Sequence, residues 1–554
     1  MSTTTLPVLI VGAGPTGLVL GLTLAQNGIP FRIIDKETKY HIGQRGAGIQ
    51  PRTLEAYNLL GVLPDIVEKG VPHRPMRIYK LPGGVEVERS FYLVPPANPE
   101  PSKPYINPWL IGQATTEAIL RAHLEKFGHR VELGTELRGF EQSADGVTVQ
   151  IARKEGEHET LETVTCRWLV GADGGKGVVR KQLGLTFLGE SLQAELIIGD
   201  IEVGNLDSDV SSSRYAIPND TAVVLRPSEE KGLFFVAVSG SDVDYAKIMA
   251  DDDALLETIR KVTNRNDLEF GVVRWKSDYR PSVRMVNKFG EGRVFLAGDA
   301  AHIHSPTGGQ GLNSGVQDAL NLGWKLALVE KGLATPSLLS TFNEERHPVI
   351  KFMLTETTAI FRQRFAATAT TPFGRDGWQR GQHLQQLGVN YRWSSIVRDE
   401  RAPDVVKEPM DVYGINSDDV PRAGDRAPDA PGLVDVKGGD ATSLFRIFSP
   451  SRHTVLIFSS DETKAKSALD ALKPYPRDVL RSVIIYPQDA QSTASIGGAD
   501  LVLVDRDGYA YSDYAVEKDA FTIVAVRPDG VIGAIAAGAE GLTQYFHGVF
   551  SAVA

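Results

Sequence analysis

Three glycine-rich segments hold the residues of this chain best suited to bind a phosphorylated cofactor. The first is VLIVGAGPTGL, in which an apolar run leads into Gly12, Gly14 and Gly17. Gly12 permits a sharp exit from a strand, Gly14 has no Cβ to keep a pyrophosphate away, and Gly17 lets a helix pack closely on the sheet. The free N–H groups and the positive dipole end of that helix favour phosphate. The pattern predicts a dinucleotide site and leaves FAD and NAD equally open.

An acidic residue follows the next predicted strand. The segment FRIIDK brings Asp35 to the end of that strand, eighteen residues after Gly17. A carboxylate at this position can accept hydrogen bonds from the hydroxyl groups of a ribose. The strand, the turn, the helix and the acid together favour a dinucleotide site over an ordinary connection between a strand and a helix.

Two further segments place glycine and aspartate after an apolar run. They are GADGGKGVVR, at 171–180, and GDAAHIHSPTGGQGLN, at 298–313. The latter also carries His302 and His304. Because no third ligand accompanies these two histidines, no metal site is predicted.

The surrounding pattern predicts an α/β protein. Val8–Val11 is apolar throughout, as in a parallel strand covered on both faces, and a helical pattern from Pro15 to Asn27 ends at Gly28. Alternating runs at 74–104 and 190–275 predict β structure, with a turn at Asp145-Gly146 between two other strands. A long helix is predicted from about Gly311 to Glu330, and mostly helical structure at 340–400.

In this order and spacing, the three segments resemble the group A FAD-dependent monooxygenases, the aromatic hydroxylases typified by p-hydroxybenzoate hydroxylase and phenol hydroxylase. The likeness covers about residues 6–345. It implies a Rossmann-type FAD-binding domain and an inserted mixed or antiparallel sheet domain for the substrate. The FAD-binding domain would comprise residues 1–75, 105–190 and 276–345, the substrate domain 76–104 and 191–275, and a helical segment and linker 346–424.

The C-terminal part, residues 425–554, resembles the thioredoxin-like α/β domain appended to phenol hydroxylase. GDRAPDAPG and AFTIVAVRPDGVIG carry this likeness. The only cysteine of the chain is Cys166, which is expected to be a small buried apolar residue in a strand. Dithiol chemistry in this domain is therefore excluded.

The resemblance implies a role for Asp299 in binding a ribityl hydroxyl of FAD, while backbone N–H groups of the loop at 308–313 face the pyrimidine edge of the flavin. Negative charge on reduced flavin would be stabilised there as in an oxyanion hole. Asp173 would contact both FAD and NADPH. The implied cofactor contacts are Gly12, Gly14, Pro15, Thr16, Gly17, Asp35, Lys36, Arg45, Gln113, Asp173, Gly298, Asp299, Pro306, Gly309, Gly311, Leu312 and Asn313.

Four positions depart from the family pattern. Gly177 stands where serine is usual, and Asp35-Lys36 stands where Glu-Arg is usual, which keeps both charges but loses the planar guanidinium. Ala47 occupies about the position of an acidic residue that some phenol hydroxylases carry. Together with the apolar run GLFFVAVSG at 232–240, Ala47 suggests a bulkier or more apolar phenol than phenol itself.

The family cycle implies that NADPH reduces FAD, O2 forms a C4a-hydroperoxide, and its distal oxygen passes to an aromatic ring. Baeyer–Villiger oxidation, epoxidation and decarboxylative hydroxylation use the same motifs and stay open as alternatives. An NAD(P) dehydrogenase and a flavoprotein without catalysis are further alternatives. The candidate catalytic or substrate-contacting residues are Pro306, His304, Arg214, Tyr215, Tyr279 and Arg226.

Composition agrees with a globular chain of two or three domains, since 554 residues exceed one ordinary core. The formal net charge of −10 argues against nucleic acid or an anionic membrane as the main partner. The N-terminus lacks a basic region before its apolar run, so no signal peptide is predicted. A cytoplasmic protein without a membrane span is expected, with a small aromatic substrate and O2 as partners and a homodimer as an option.

Overall fold

The fold is described from a computed structural model. It describes residues 5–551 apart from 157, 193, 211, 218–220, 306–307, 366–380, 403–407, 418–419 and 489–496. Within this part of the chain, no helix combines the length and the hydropathy that crossing a bilayer requires.

The strands of the described residues are numbered in chain order. They are β1 Leu6–Val11, β2 Phe31–Ile34, β3 Gly48–Ile49, β4 Val71–Pro72, β5 Met76–Tyr79, β6 Val87–Phe91, β7 Trp109–Leu110, β8 Val131–Glu132, β9 Thr135–Gln142, β10 Val147–Glu155, β11 His158–Gly171, β12 Phe187–Ser191, β13 Leu196–Gly204, β14 Ser212–Ala216, β15 Thr221–Pro227, β16 Leu233–Gly240, β17 Glu269–Tyr279, β18 Ser282–Val286, β19 Gly290–Glu291, β20 Val294–Leu296, β21 His302–Ile303, β22 Arg398–Asp399, β23 Leu433–Asp435, β24 His453–Phe458, β25 Leu480–Tyr486, β26 Leu501–Asp505, β27 Thr522–Val526 and β28 Ile532–Ala536.

The α-helices are numbered in the same way. They are α1 Pro15–Gln26, α2 Pro51–Leu59, α3 Leu63–Lys69, α4 Gln113–Glu125, α5 Val178–Gln182, α6 Tyr245–Ala250, α7 Asp252–Thr263, α8 Gly311–Glu330, α9 Ser340–Phe365, α10 Leu444–Ile447, α11 Glu462–Leu472, α12 Tyr509–Asp513 and α13 Ala539–Val549. Short 3-10 turns lie at Gly298–Ala300, Pro336–Leu339 and Gln382–Gln385.

The first sheet is built around β1, which is buried along most of its length. Its central order is β20-β11-β1-β2, and all three of these pairs are parallel. The carboxyl ends of neighbouring parallel strands meet at one edge of a sheet, where ligands bind in open α/β folds. The three glycine-rich segments follow β1, β11 and β20, so this edge collects all of them. The predicted Rossmann-type α/β fold is confirmed.

The hairpin β9–β10 extends this sheet, since β10 pairs with both β9 and β11. Its turn holds the predicted Asp145-Gly146 pair, and Ser143 N–H donates to the Gly146 carbonyl at 2.8 Å. Cys166 lies in β11 and is buried, as predicted. Burial raises the pKa of its thiol to about 12, so the thiolate is scarce at neutral pH.

The second large sheet has the order β17-β13-β16-β15-β14-β5-β6. Its pairs are antiparallel except for β14 with β5, so the sheet is mixed. One face packs on α6 and α7 through a core that includes Val223, Val236 and Ile259. Strand β17 runs on to Tyr279, beyond the predicted boundary at 275.

The third large sheet has the order β22-β28-β27-β24-β25-β26-β23. Strands β24, β25 and β26 are parallel, whereas β27 is antiparallel to both β24 and β28. Two separate apolar clusters cover the two faces of this sheet. One cluster includes residues of α11 and α13 together with Trp324 of α8. The thioredoxin-like character of this domain stays a prediction.

The segment between the last two large sheets is less helical than predicted. Helix α9 ends at Phe365, and the described residues from 381 to 400 hold a 3-10 turn and the strand β22 but no α-helix. Leu384, Tyr391 and Trp393 of this segment are buried although none of them lies in an α-helix, so apolar residues here mark burial without a regular helix.

Candidate active site

A cleft of about 370 Å³ lies at the carboxyl edge of the first sheet. It is lined by residues from all three glycine-rich segments, by the end of β2 and by the start of α4. Of the predicted cofactor contacts, it includes Gly12, Gly14, Pro15, Thr16, Asp35, Lys36, Gln113, Asp173, Asp299, Gly311 and Leu312. The structure thus brings together residues that lie almost three hundred positions apart in the sequence.

The turn after β1 requires its glycines for different reasons. Gly12 has a φ of +103°, and a Cβ there would lie 2.3 Å from the Ala172 carbonyl oxygen. A Cβ on Gly17 would lie 2.0 Å from the Gly12 oxygen, whereas a Cβ on Gly14 meets nothing within 4 Å among the described atoms. Helix α1 begins with Pro15 and has no side-chain cap among the described residues. Its end is therefore open to a phosphate.

Asp35 is held by the turn that it faces. Its Oδ2 accepts a hydrogen bond from Ala13 N–H at 2.9 Å, and its Oδ1 accepts one from Glu37 N–H at 3.0 Å. A carboxylate has about four acceptor positions, so capacity remains for the hydroxyl groups of a ribose. Lys36 is exposed beside it.

Asp173 caps the short helix α5. Its Oδ2 accepts hydrogen bonds from Val178 and Val179 N–H at 2.6 and 3.1 Å, while its Oδ1 is buried without a hydrogen-bond partner among the described residues. Burial raises the pKa of Asp173 and outweighs these hydrogen bonds. The unpartnered oxygen at the cleft is an acceptor available to a ligand.

Gly177, which replaces the family serine, makes room for this carboxylate. A Cβ at Gly177 would lie 2.3 Å from Asp173 Oδ1 and 2.6 Å from its Cγ. A serine would therefore require a different Asp173 rotamer. The absence of a side chain at Gly177 thus leaves the space in which the Asp173 carboxylate accepts hydrogen bonds from the N–H groups of Val178 and Val179.

Asp299 projects into the cleft from the 3-10 turn after β20 and is exposed. Gly298 has a φ of +59°, and a Cβ there would lie 2.4 Å from Thr16 Oγ1. This close contact between the first and third segments fixes the separation of Asp299 from the turn after β1. Gly315 of α8 packs against the same hydroxyl, because a Cβ added at Gly315 would lie 2.3 Å from Thr16 Oγ1.

Behind Asp299 lies a buried ionic cluster that the sequence did not reveal. Asp318 Oδ2 accepts a hydrogen bond from Gly298 N–H at 3.0 Å and lies 2.7 Å from His302 Nε2. Its Oδ1 accepts from Arg346 Nε at 2.7 Å. Burial alone would raise the pKa of Asp318, but Arg346 and His302 lower it to about 2. His302 therefore supports the backbone of the third segment.

Asn313 joins two loops of the site. Its side chain accepts a hydrogen bond from Gln50 N–H at 2.8 Å and donates to the carbonyl oxygens of Gly48 at 2.9 Å and Gly309 at 2.7 Å. The buried amide thus holds the loop at 308–311 against the segment that follows Arg45. No group of three or more His, Cys, Asp or Glu residues suited to a metal ion occurs in the described part of the chain.

Comparison with known proteins agrees with this geometry. A family model described as "FAD binding domain" matches residues 5–357, which is more than half of the chain. The chain belongs to the FAD binding domain family. A flavin-dependent monooxygenase of Mycobacteroides abscessus is 36% identical over 514 residues, covering 91% of this chain and 96% of that protein. The chain is thus a flavin-dependent oxidoreductase.

Two further comparisons extend over nearly the whole chain. Pentachlorophenol 4-monooxygenase of Sphingobium chlorophenolicum is 29% identical and covers 95% of this chain and 93% of its own length. The crystal structure of aklavinone-11 hydroxylase with FAD and aklavinone superposes with a TM-score of 0.78 at 24% identity, and 99% of each chain is covered. The latter likeness supports the fold.

The loop that carries Arg45 lies between the FAD-binding domain and the second sheet. Arg45 has a φ of +38°, is exposed, and its guanidinium lies 5.9 Å from the centre of the Trp275 ring. Gln44 N–H and Trp275 Nε1 donate to the same oxygen of Asp200 at 2.9 and 2.7 Å. Burial raises the pKa of Asp200. Sequence reasoning missed Asp200 and Trp275, which dock this loop on the sheet.

The second sheet separates the predicted substrate residues by face. Tyr215 lies on the face that packs on α7, where its ring stacks on Tyr79 at 4.9 Å. The structure therefore does not bring Tyr215 to the site. Arg214 lies on the opposite face, as does Arg226, which donates to the Arg45 carbonyl at 3.3 Å. Burial lowers the pKa of both guanidinium groups to about 10.

His304 and Tyr279 both interact electrostatically with Asp299. Burial lowers the pKa of His304, and the charge of Asp299 opposes this effect. Burial and the same charge raise the pKa of Tyr279 to about 12. His304 Nδ1 lies 2.5 Å from the Ser305 carbonyl oxygen, which fixes the proton on Nδ1 and leaves Nε2 as an acceptor. Pro306 lies outside the described residues.

Proposed function

We propose that this flavin-dependent enzyme uses NADPH and O2 to hydroxylate a phenolic aromatic compound. The observation that carries the proposal is the meeting of Asp35, Asp173 and Asp299 around one cleft behind an uncapped helix N-terminus. This is a donor and acceptor set for a diphosphate between two polyhydroxylated groups, as in FAD. The names of the relatives support an oxygenase that acts on an aromatic ring.

FAD fits the residues at hand. Open space beside Gly14 and the free N–H groups of α1 suit the pyrophosphate, and Asp35 suits the ribose of the adenosine half. Asp299 would accept hydrogen bonds from the ribityl chain, and the dipole of α8, which begins at Gly311, would lie at the pyrimidine edge. Bound FAD supplies the chemistry that takes electrons from NADPH and activates O2.

The chain itself must orient the phenol, exclude water and accept the phenol proton. Neutral His304 offers its Nε2 as the proton acceptor, because burial disfavours the imidazolium form. Arg226 and Tyr279 offer donors for the developing phenolate. Arg226 lies on the face that meets the Arg45 loop, with its guanidinium over Phe235 at 4.3 Å, whereas Tyr279 interacts with Asp299 at the cleft.

The same sheet face supports a substrate larger than phenol. Beside the two arginines it presents Val224, Phe235 and Ala237. Val224 pairs with both Arg214 and Ala237, and Phe235 pairs with Arg226. Ala47 is buried and brings no acid to the loop. We therefore expect an alkyl-substituted or polycyclic phenol to be turned over faster than phenol.

Other outcomes of the same flavin chemistry are ring expansion, epoxidation and decarboxylative hydroxylation, and product structure distinguishes them. Loss of the family serine at Gly177 would favour a flavoprotein without catalysis, but the close packing of Asp173 against Gly177 accounts for the glycine.

The test uses the purified full chain. We expect a yellow protein with bound FAD, NADPH oxidation that a panel of substituted phenols accelerates, and products heavier by one oxygen atom. NADH is compared as the alternative reductant, and light scattering tests the homodimer. A colourless protein that takes up no FAD, or NADPH oxidation that no phenol accelerates, would overturn the proposal.

A further inference from the structure

We propose that Gln386, which lies outside all three glycine-rich segments, is a positioning residue for the loop at 308–311, which we call the flavin loop. In this role Gln386 would fix the Gly308–Gly309 peptide so that the Gly309 N–H points toward the flavin. The inference rests on FAD binding in the proposed function and is independent of the substrate.

Three buried glutamine amides connect this peptide to Arg346. Arg346 NH1 donates to Gln317 Oε1 at 3.4 Å, and Gln317 Nε2 donates to Gln386 Oε1 at 2.7 Å. Gln386 Nε2 donates to Gln310 Oε1 at 2.6 Å. Gln310 Nε2 then donates to the Gly308 carbonyl oxygen at 3.0 Å. These four side chains are all buried.

The groups at the two ends of this series of hydrogen bonds determine which way the amides point. A guanidinium can only donate, so the oxygen of Gln317 must face Arg346. At the other end, Gln310 Nε2 lies 3.0 Å from one carbonyl oxygen and 2.9 Å from that of Leu384, so its nitrogen must face them. Gln386 joins these two ends: its Oε1 accepts from Gln317, and its Nε2 donates to Gln310 and, at 3.4 Å, to Ser314 Oγ. Hydrogen bonds aligned in one direction strengthen one another.

The consequence for the loop follows from peptide geometry. In a trans peptide the carbonyl and the following N–H point in opposite directions. Gln310 and Gln50, whose Nε2 lies 3.3 Å from the Gly308 oxygen, hold that carbonyl toward the protein interior. The Gly309 N–H must then point away from the interior. A donor in that direction would stabilise negative charge on reduced flavin.

The position of Gln386 in the chain is set by the 3-10 turn Gln382–Gln385. Gln386 ends this turn in the left-handed region, with a φ of +65°, and its N–H donates to the His383 carbonyl at 3.0 Å. Its side chain is buried among the amides described above. The neighbouring Gln385 is also buried, but its Nε2 donates to the Ile106 carbonyl at 3.0 Å, apart from the flavin loop.

Two variants separate the amide from the fold. Gln386→Met keeps the length of the side chain but removes both the donor that faces Gln310 and the acceptor that faces Gln317. Gln386→Gly removes the side chain and relieves the positive φ, so it protects folding. Gln385→Ala is the matched control. The measurements are FAD affinity, from flavin fluorescence during titration of the apoprotein, and the midpoint potential of bound FAD.

We expect both Gln386 variants to bind oxidised FAD with nearly wild-type affinity and reduced FAD about fivefold more weakly, as loss of one hydrogen bond implies. A fivefold difference corresponds to a two-electron potential about 20 mV more negative. The control should keep the wild-type potential. Unchanged potentials in both Gln386 variants, or an equal shift in Gln385→Ala, would overturn the inference. A wild type that binds no FAD would overturn the proposed function as well.

Discussion

The buried imidazole of His453 predicts a specific loss of stability in mild acid. His453 begins β24 and is surrounded by the rings of Trp324, Tyr545, Phe546 and Phe550, with centroids 5.4 to 6.1 Å away. Both ring nitrogens are buried without a hydrogen-bond partner among the described residues. Burial, helped by the charge of Arg527, lowers the pKa of His453 to about 3.

The direction of the effect follows from proton binding. In the unfolded chain His453 takes up a proton near pH 6.5, whereas in the folded protein it stays neutral down to about pH 3. Between these values the unfolded state binds more protons, so the free energy of unfolding falls as the pH falls. From pH 7 to pH 5 the contribution of His453 is a loss of about 2 kcal/mol. Any folded pKa below about 4 gives the same figure.

The perturbation that isolates this contribution is His453→Leu. Replacing an unpartnered polar ring by an apolar side chain is expected to be neutral or stabilising at pH 7. Urea unfolding at pH 7, 6 and 5, with FAD in fixed excess, should show a weaker pH dependence than wild type by about 2 kcal/mol. His547→Leu, at an exposed histidine of α13, is the control and should keep the wild-type pH dependence. If His453→Leu loses as much stability as wild type between pH 7 and pH 5, the reasoning is wrong.

Three further predictions concern the cofactor and the domain contact. Asp299→Asn should weaken FAD binding about tenfold, because a charged acceptor becomes a neutral one. Asp278→Asn, at an exposed carboxylate of β17, is the control and should not weaken it; equal fluorescence titrations of the two variants would refute this. Gly14→Val should abolish FAD binding with a near wild-type melting temperature, since its φ of −72° suits valine and the added atoms enter only the cleft. Arg527→Met should lower the free energy of unfolding by about 3–5 kcal/mol, as expected for a broken buried ion pair, and an unchanged urea midpoint would contradict this.

The local part of the site could be predicted from the sequence. The strand β1, the glycine turn and α1 are encoded within twenty residues, and each glycine occupies a position where a Cβ would collide or obstruct a ligand. The role of the segment at 298–313 required the family resemblance, because nothing local indicates that Asp299 faces Gly12. The bounds of α8 were also predicted, since Gly311 and Glu330 delimit an apolar helical pattern.

Contacts between distant polar residues could not be predicted. Asp318 and Arg346 lie 28 positions apart on separate helices, and no local pattern pairs them. The fate of Tyr215 illustrates a second limit. Alternation along β14 separates Tyr215 from Arg214, but which face meets α7 and which meets the loop that carries Arg45 depends on how the whole sheet packs.

Helix α8 explains how the C-terminal domain and the cofactor cleft become one structural unit. Its first turn carries Gly311 at the cleft, and its last turns carry Lys325, whose ammonium lies 2.8 Å from Glu345 of α9. Arg527, from the C-terminal sheet, contacts both oxygens of Glu345 at 2.7 and 2.9 Å. All three side chains are fully buried.

Arg346, the residue after Glu345, connects this buried ionic cluster to the cleft. Arg346 extends from the same turn of α9 to Asp318, which holds the Gly298 N–H beside Asp299. Removing the C-terminal domain would leave Glu345 with one of its two cationic partners and would expose the apolar surface around Trp324. A domain without cysteine therefore has a physical task in this enzyme, because its Arg527 contacts Glu345, next to Arg346, in the turn of α9 that supports the backbone beside Asp299.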